Sequence, residues 1–143
     1  MLQGAITPTV RRGYTQLDNG RFALAIGDVH VLNDPLTAQG GNLASYSAWA
    51  LGETILESFS ADEEFCQQAT ARIWAYAQPV TEWSNFMLHP PPHLLRLMAA
   101  AAQNQAIADA LVDGFANPLP TWELLRRPER VAALLDTLGM DVV

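Results

Sequence analysis

Residues 27–42, with the sequence GDVHVLNDPLTAQGGN, decide how this chain is expected to fold. They follow an apolar run at 21–26 (RFALAI) that has the length of a β-strand and stops abruptly at a Gly-Asp pair. From residue 42 to residue 59 the apolar positions recur with a period of about 3.6, which is the period of an α-helix. The stretch is therefore predicted to be a turn that joins a strand to a helix.

The chain before this turn is predicted to be extended. Residues 5–17 contain many β-branched and aromatic side chains, and Pro8 favours a position at the edge of a sheet. Residues 18–20 (DNG) are typical of a turn. The pattern allows either one hairpin or two successive strands.

The chain after the turn is predicted to be helical. The first helix, at 42–59, is indicated by the apolar positions Ala44, Ala48, Leu51, Ile55 and Phe59. A capping box at 60–63 (SADE) predicts a second helix from about residue 61 to residue 77. Pro79 is expected to end or bend that helix, and the pattern allows it to resume at 81–88.

Two further helices are expected in the rest of the chain. One covers 93–115, is broken or bent near Asn104, and is closed by Pro118 and Pro120. The last covers 128–138, with Gly139 just past its end. The predicted fold is mainly α, with a short N-terminal β hairpin or strand pair. A single domain is expected over 1–143, with strands and turn in 1–42 and a helical tail in 43–143.

Composition narrows the classes of function. The net charge of −7 argues against a nucleic-acid surface, and no apolar run is long enough to span a bilayer. All eight basic residues are Arg, which excludes a Schiff-base lysine and a phosphate-loop lysine. The single Cys66 cannot form an internal disulfide, and no secretory signal is recognised. A cytoplasmic protein is expected.

The 27–42 turn has features that suit a ligand with a hydroxylated chain and a flat ring. A carboxylate at a strand end, here Asp28, can accept hydrogen bonds from sugar or ribityl hydroxyls. Gly40 and Gly41 allow a flat ring to approach the backbone. The first amides of the following helix present partial positive charge to a ring that gains negative charge.

The same residues resemble a known cofactor motif. Gly27-Asp28, Pro35 and QGGN at 39–42 are similar to the second FAD-binding motif of the flavoprotein monooxygenases related to p-hydroxybenzoate hydroxylase. Over 27–53 the chain resembles more closely the styrene monooxygenase family, and TEWSNFMLHPPPH at 81–93 fits that family's helical tail. The resemblance implies that the chain corresponds to the C-terminal portion of an α/β FAD-binding monooxygenase fold.

The resemblance also implies roles for individual residues. The implied FAD-binding residues are Gly27, Asp28, Pro35, Gly40, Gly41 and Asn42. Asp28 would bind the ribityl hydroxyls and Pro35 would lie beside the isoalloxazine ring, while the last three would face its pyrimidine edge. The implied activity is oxygen transfer from a flavin hydroperoxide to an apolar aromatic alkene such as a styrene or an indole. Reduced FAD would come from a separate flavin reductase, and no catalytic side chain is required.

The chain departs from the family pattern in three places. Ala38 stands where glycine is expected and Gly41 where alanine is expected, so the loop is adjusted if position 38 needs a positive φ. The GxGxxG turn that would bind the FAD diphosphate does not occur in the sequence. Activity is therefore expected only with a complementing N-terminal chain. The alternative is a non-catalytic helical module, derived from such an oxygenase, that forms a homo-oligomer or binds a partner.

Other polar and aromatic residues have simpler interpretations. The histidines His30, His89 and His93 lack a recognisable ligand spacing, so no metal site is predicted. Glu53 and Glu57 are interpreted as a solvated helix face. The four tryptophans are assigned to packing.

Overall fold

The structure, a computed structural model, describes residues 7–138. It is mainly helical with a few short antiparallel strands near the N-terminus, which confirms the predicted fold class. The strands are β1 (Thr9–Val10), β2 (Tyr14–Gln16), β3 (Phe22–Leu24) and β4 (Val31–Leu32). The α-helices are α1 (Gly40–Glu57), α2 (Glu63–Leu88), α3 (Pro92–Ala101), α4 (Gln105–Gly114), α5 (Pro118–Leu125) and α6 (Pro128–Thr137). Within 7–138, none of these helices is both long and apolar enough to cross a membrane.

The chain divides into two compact units. The first contains the described residues up to Thr81, and the second begins at Glu82. The strands, α1 and most of α2 belong to the first unit, and the last residues of α2 together with α3 to α6 belong to the second. The single domain expected from the sequence stays a prediction.

The predicted extended segment forms a hairpin. β2 and β3 pair antiparallel with Tyr14 opposite Leu24, and Gly20 in the connecting turn has φ +79°. Of the two arrangements that the sequence allows, this is the single hairpin. β1 pairs instead with β4, which lies inside the 27–42 turn and was not predicted as a strand. Residues 5 and 6 of the predicted extended segment lie outside the described range.

α1 begins two residues before its predicted start and ends at Glu57. The side chains that it buries are Leu43, Ser47, Ala50 and Thr54. The apolar positions that predicted the helix are mostly exposed, namely Ala44, Ala48, Ile55 and Phe59, and Phe59 lies beyond the end of α1. The helical period is thus correct, but it does not mark the buried face.

α2 corrects two predictions. Its cap is Asp62, whose Oδ1 accepts from the Phe65 amide at 3.0 Å while Oδ2 accepts from the Ser60 hydroxyl at 2.6 Å. The Ser60 hydrogen bond is the main cause of the lowered pKa of the Asp62 carboxyl. A Ser60–Glu63 capping box is therefore wrong. The helix also runs through Pro79 to Leu88, so the predicted end near residue 77 is wrong, whereas residues 81–88 are helical as the pattern allowed. The proline removes one helical hydrogen bond.

The second unit confirms one helix boundary and adds a helix. Asn104 separates α3 from α4, and its side chain accepts from the amides of Ala106 and Ile107. Pro118, predicted to close a helix, instead begins α5, since proline is well suited to a first helical turn. α6 starts at Pro128 as predicted and ends at Thr137. Gly139, predicted to follow its end, lies outside the described residues.

Each unit has its own core. In the first unit, Val31, Leu43 and Ala77 form a buried cluster against which Trp74 and Tyr76 pack. In the second unit a larger cluster joins the end of α2 to the later helices, and it contains Trp83, Leu94, Leu97, Ala100, Ile107, Trp122, Leu125, Val131 and Leu135. Burial of such apolar side chains is the main stabilising contribution in both units.

Candidate functional site

The first half of the 27–42 turn is held by a left-handed glycine. Gly27 has φ +54° and is the first residue of a short 3₁₀ helix, Gly27–Val29. The Gly27 carbonyl oxygen accepts from the His30 amide at 2.9 Å. A Cβ at Gly27 would lie 3.4 Å from the Ala44 Cβ on α1. Only glycine adopts this φ without strain, so the glycine at position 27 is what permits the turn there.

Asp28 presents its carboxylate to solvent at the tip of this turn. The backbone carbonyl of Asp28 accepts from Arg11 Nη1 at 3.0 Å, and the His30 carbonyl accepts from the Arg11 amide at 2.8 Å. Arg11 therefore fixes the backbone on both sides of Val29. The hydrogen bonds found for Asp28 in the described structure involve its backbone, so its carboxylate is available to an external donor.

The second half of the turn is a further 3₁₀ helix, Pro35–Thr37, capped at both ends. Asp34 Oδ1 accepts from the Leu36 amide at 2.9 Å, and the exposed Pro35 occupies the first position. Ala38 ends the segment with φ +53°, in the left-handed region. Position 38 therefore does take the positive φ that a glycine would favour, and the chain places an alanine there.

Gly40, Gly41 and Asn42 form the first turn of α1. A Cβ at either glycine would meet nothing within 4 Å, so no packing contact in the chain requires glycine at these positions. Gln39 precedes the helix without a side-chain cap and accepts from Asn42 Nδ2 at 3.0 Å. The helix thus begins on an open surface, which a flat ligand could approach closely.

Several buried polar residues that support the turn were not singled out from the sequence. Asn33 is 8% exposed, and its Oδ1 accepts from the Thr81 hydroxyl of α2 at 2.9 Å. Thr37 and Gln39 are also buried. The signal for Gln39 was present, because it belongs to the QGGN string that carries the family resemblance. Asn33 and Thr37 have no such signal.

The histidines lie in different environments. His30 is buried in the first unit, and burial lowers its pKa. His93 is buried in the second unit, where Nε2 lies 2.9 Å from the Leu125 carbonyl oxygen. His89 is exposed. Among the residues that the structure describes, no cluster of three or more His, Cys, Asp or Glu side chains could hold a metal.

The structure also shows the surroundings of Cys66, Glu57 and Trp49. Cys66 is buried, and burial followed by the nearby carboxylates of Asp62 and Glu63 raises the pKa of its thiol, which makes it a poor nucleophile. Glu57 forms an ion pair with Arg72 at 2.6 Å. Of the four tryptophans, Trp49 departs from the assignment to packing, since it is 55% exposed.

Two curated proteins are similar to this chain. The chain is 35% identical over 135 residues to styrene monooxygenase StyA from a Pseudomonas species, and equally so to styrene monooxygenase StyA from Pseudomonas fluorescens. The chain is a relative of styrene monooxygenase. This confirms the resemblance predicted from residues 27–53 and 81–93. The match to styrene monooxygenase includes 92% of this chain, and no family model matches it.

The match covers only part of the styrene monooxygenases. The chain spans 32% of the length of both curated relatives. That share is consistent with the predicted correspondence to the C-terminal portion of the oxygenase. Both relatives are named as styrene monooxygenases.

Proposed function

We propose that this chain supplies the flavin-facing turn of an FAD-dependent monooxygenase of the styrene or indole type, and that it acts only together with a GxGxxG-bearing portion. One observation carries the proposal. Residues 27–42 hold an exposed carboxylate at Asp28 and lead into a helix whose first residues, Gly40 and Gly41, face open space. These features fit a ribityl chain and an isoalloxazine ring. The similarity to styrene monooxygenase supports the same cofactor.

The first half of the turn would hold the ribityl chain. Gly27 sets the backbone, and Asp28 accepts hydrogen bonds from the ribityl hydroxyls through a charged carboxylate, which makes them stronger than bonds between neutral groups. Arg11 contributes indirectly, because its guanidinium binds the Asp28 carbonyl oxygen and so holds the backbone that carries the carboxylate.

The second half would hold the ring. Pro35 presents an exposed, rigid apolar ring beside the flavin, while Gly40, Gly41 and Asn42 face its pyrimidine edge. The N-terminal end of α1 carries partial positive charge, which stabilises negative charge on a reduced flavin. Asn42 is oriented by its hydrogen bond to Gln39.

Reduced FAD, delivered by a separate flavin reductase, would supply the activation of oxygen for transfer of one oxygen atom to an apolar aromatic alkene. The chain itself would bind and orient the flavin and keep water from the ring. It needs no nucleophile or acid-base residue of its own. A cytoplasmic location, predicted from the single Cys66, fits an enzyme that depends on a reductase.

FAD binding in the reconstituted oxygenase tests this function. The chain is combined with a complementing portion that bears GxGxxG, and FAD affinity is measured by flavin fluorescence alongside styrene oxide formation. Asp28→Ala should weaken FAD binding by roughly tenfold or more, because it removes charge-assisted hydrogen bonds. Asp18→Ala, an exposed acid in the hairpin turn, is the matched control and should leave the affinity unchanged. Equal affinities for the two variants would remove Asp28 from the site.

The second candidate is a non-catalytic helical dimerisation or interaction module. The exposure of Trp49, Ile55 and Leu56 on α1 favours an interaction role. Light scattering separates the two candidates. A homodimer that binds no FAD, with or without the complementing portion, supports the module, whereas FAD binding on reconstitution supports the oxygenase.

A further inference from the structure

Tyr46 of α1 and Tyr76 of α2 form a stacked pair of phenol rings within the first unit. The ring centroids lie 4.1 Å apart and the ring planes are inclined by 15°. At this separation, carbon atoms of one ring lie at van der Waals contact, roughly 3.5–4.0 Å, from those of the other. Both side chains are half-buried, so that packing orders the pair while part of each ring stays accessible to solvent.

The chain has one further tyrosine, and it lies away from this pair. The Tyr14 hydroxyl donates to Glu63 Oε1 at 3.2 Å, at the start of α2. Tyr76 lies on the same helix about 20 Å further along, because an α-helix rises 1.5 Å per residue. A phenol held at Glu63 does not reach that far. A reaction between two tyrosines of one chain therefore selects Tyr46 and Tyr76.

Trp49 is the other oxidisable ring beside Tyr46. It is 55% exposed, and its ring lies 5.3 Å from the Tyr46 ring with the planes inclined by 53°. The greater distance and the tilt bring fewer ring atoms into contact than the stack does. The geometry thus favours bond formation between the two phenols over a bond to the indole.

We propose that Tyr46 and Tyr76 are a site of oxidative cross-linking, at which one-electron oxidants generated from hydrogen peroxide join the two rings as dityrosine. This inference goes beyond the proposed function and does not require flavin. It uses the contact between two phenols, which are among the side chains that lose an electron most readily.

The reaction balances with one molecule of peroxide. Each phenol loses one electron and its hydroxyl proton, and burial, followed by Tyr46, raises the pKa of Tyr76, so that this proton is present at neutral pH. The two phenoxyl radicals form a carbon–carbon bond between ring carbons next to the oxygens. The hydrogen on each of these carbons then moves to oxygen and restores the aromatic rings. A haem catalyst passes the two electrons to the peroxide, which takes up the two released protons and leaves as two molecules of water.

The new bond would join α1 to α2. It closes the segment between Tyr46 and Tyr76 into a covalent loop, which restricts the unfolded chain. The cross-linked chain is therefore expected to unfold at a higher temperature than the untreated chain.

Peptide mapping of the oxidised chain tests the site. The full chain, dilute enough to limit reactions between chains, is treated with a small haem peptide and hydrogen peroxide. Trypsin cuts after arginine, and Arg72 separates Tyr46 from Tyr76, so that a cross-link holds two otherwise separate peptides together. We expect this linked pair, two hydrogen atoms lighter than the sum of its parts, together with dityrosine fluorescence in the monomeric chain.

Phenylalanine variants separate the stacked pair from other sources of dityrosine. Tyr46→Phe and Tyr76→Phe each keep an aromatic ring in the stack, so the packing of α1 on α2 is retained. Each should abolish both the linked peptides and the fluorescence of the monomer. Tyr14→Phe is the matched control and should leave both unchanged. Circular dichroism checks that every variant keeps the helical fold.

The outcomes are distinct. A linked peptide pair, with a rise in unfolding temperature that treated Tyr46→Phe does not acquire, supports the proposal. Dityrosine between chains only, an intrachain link that persists in Tyr76→Phe, or a bond from Tyr46 to the Trp49 indole overturns it. Oxidation of the chain without any dityrosine overturns it as well.

Discussion

The imidazole ring of His30 packs against the indole ring of Trp74, with centroids 6.3 Å apart and ring planes inclined by 44°. His30 is 3% exposed, and its Nδ1 has no hydrogen-bond partner within residues 7–138. Burial lowers its pKa below the ordinary value of 6.5. A protonated His30 would carry its charge in this buried position, two residues after Asp28. Burial therefore favours the neutral form of this histidine.

The first prediction is a loss of stability on acidification. Because the pKa of His30 is lower in the folded chain than in the unfolded chain, its contribution is complete above the unfolded value of 6.5 and is lost as the pH falls through the folded value. Urea denaturation at several pH values should show this decline. His30→Phe should reduce its slope below pH 6.5. Equal slopes for wild type and His30→Phe would contradict the assignment.

The second prediction compares two left-handed positions in the same turn. Ala38 has φ +53° and Gly27 has φ +54°. Ala38→Gly should stabilise the chain by about 0.5–1 kcal/mol, because the strain relieved exceeds the added chain entropy. Gly27→Ala should destabilise it by about 1–2 kcal/mol, since an alanine is strained at this φ, whereas its Cβ would make only an ordinary contact with Ala44. The free energy of unfolding measures both, and the same sign for both changes would contradict the backbone argument.

Features that depend on local backbone preferences were predicted better than features that depend on contacts with distant parts of the chain. Three predicted features depend on local backbone preferences, which can be read from the residue types: the strand end before Gly27, the glycines at the start of α1 and the break at Asn104. β4 was missed because a two-residue strand exists only through pairing with β1, which is distant in the chain. Pairing of that kind leaves little trace in local composition.

The helices show a second limit. Pro79 did not end α2, because packing of Ala77 and Val80 in the interior outweighs one lost hydrogen bond. In α1 the apolar period identified the helix but pointed to the exposed side, since Ala48 and Ile55 are exposed whereas Leu43 is buried. An apolar period indicates that a helix has a face suited to burial, but it does not identify what covers that face. The FAD-binding roles of the side chains in residues 27–42 stay a prediction until FAD binding is measured.

The third prediction concerns the hydrogen bond between Thr81 and Asn33. Thr81→Val keeps the shape of the side chain but removes the donor, which leaves the buried Asn33 Oδ1 without that bond. The free energy of unfolding should fall by about 1–3 kcal/mol. Thr137→Val is the matched control, because the Thr137 hydroxyl is exposed and donates only to its own helix at Ala133. A loss no larger than that of the control would show that Asn33 is satisfied in another way.

The fourth prediction compares two leucines on α3. Leu97 is fully buried in the core of the second unit, whereas Leu95, two residues earlier, is 52% exposed. Leu97→Ala should lower the free energy of unfolding by about 2–5 kcal/mol, because it removes buried methyl groups and leaves a cavity between packed helices. Leu95→Ala has the same helix propensity change but should alter stability by no more than about 0.5 kcal/mol. Thermal and urea denaturation measure the difference. A large loss for Leu95→Ala would mean that this side of α3 is covered in solution, so that the two measurements together test both the core and the surface of the unit.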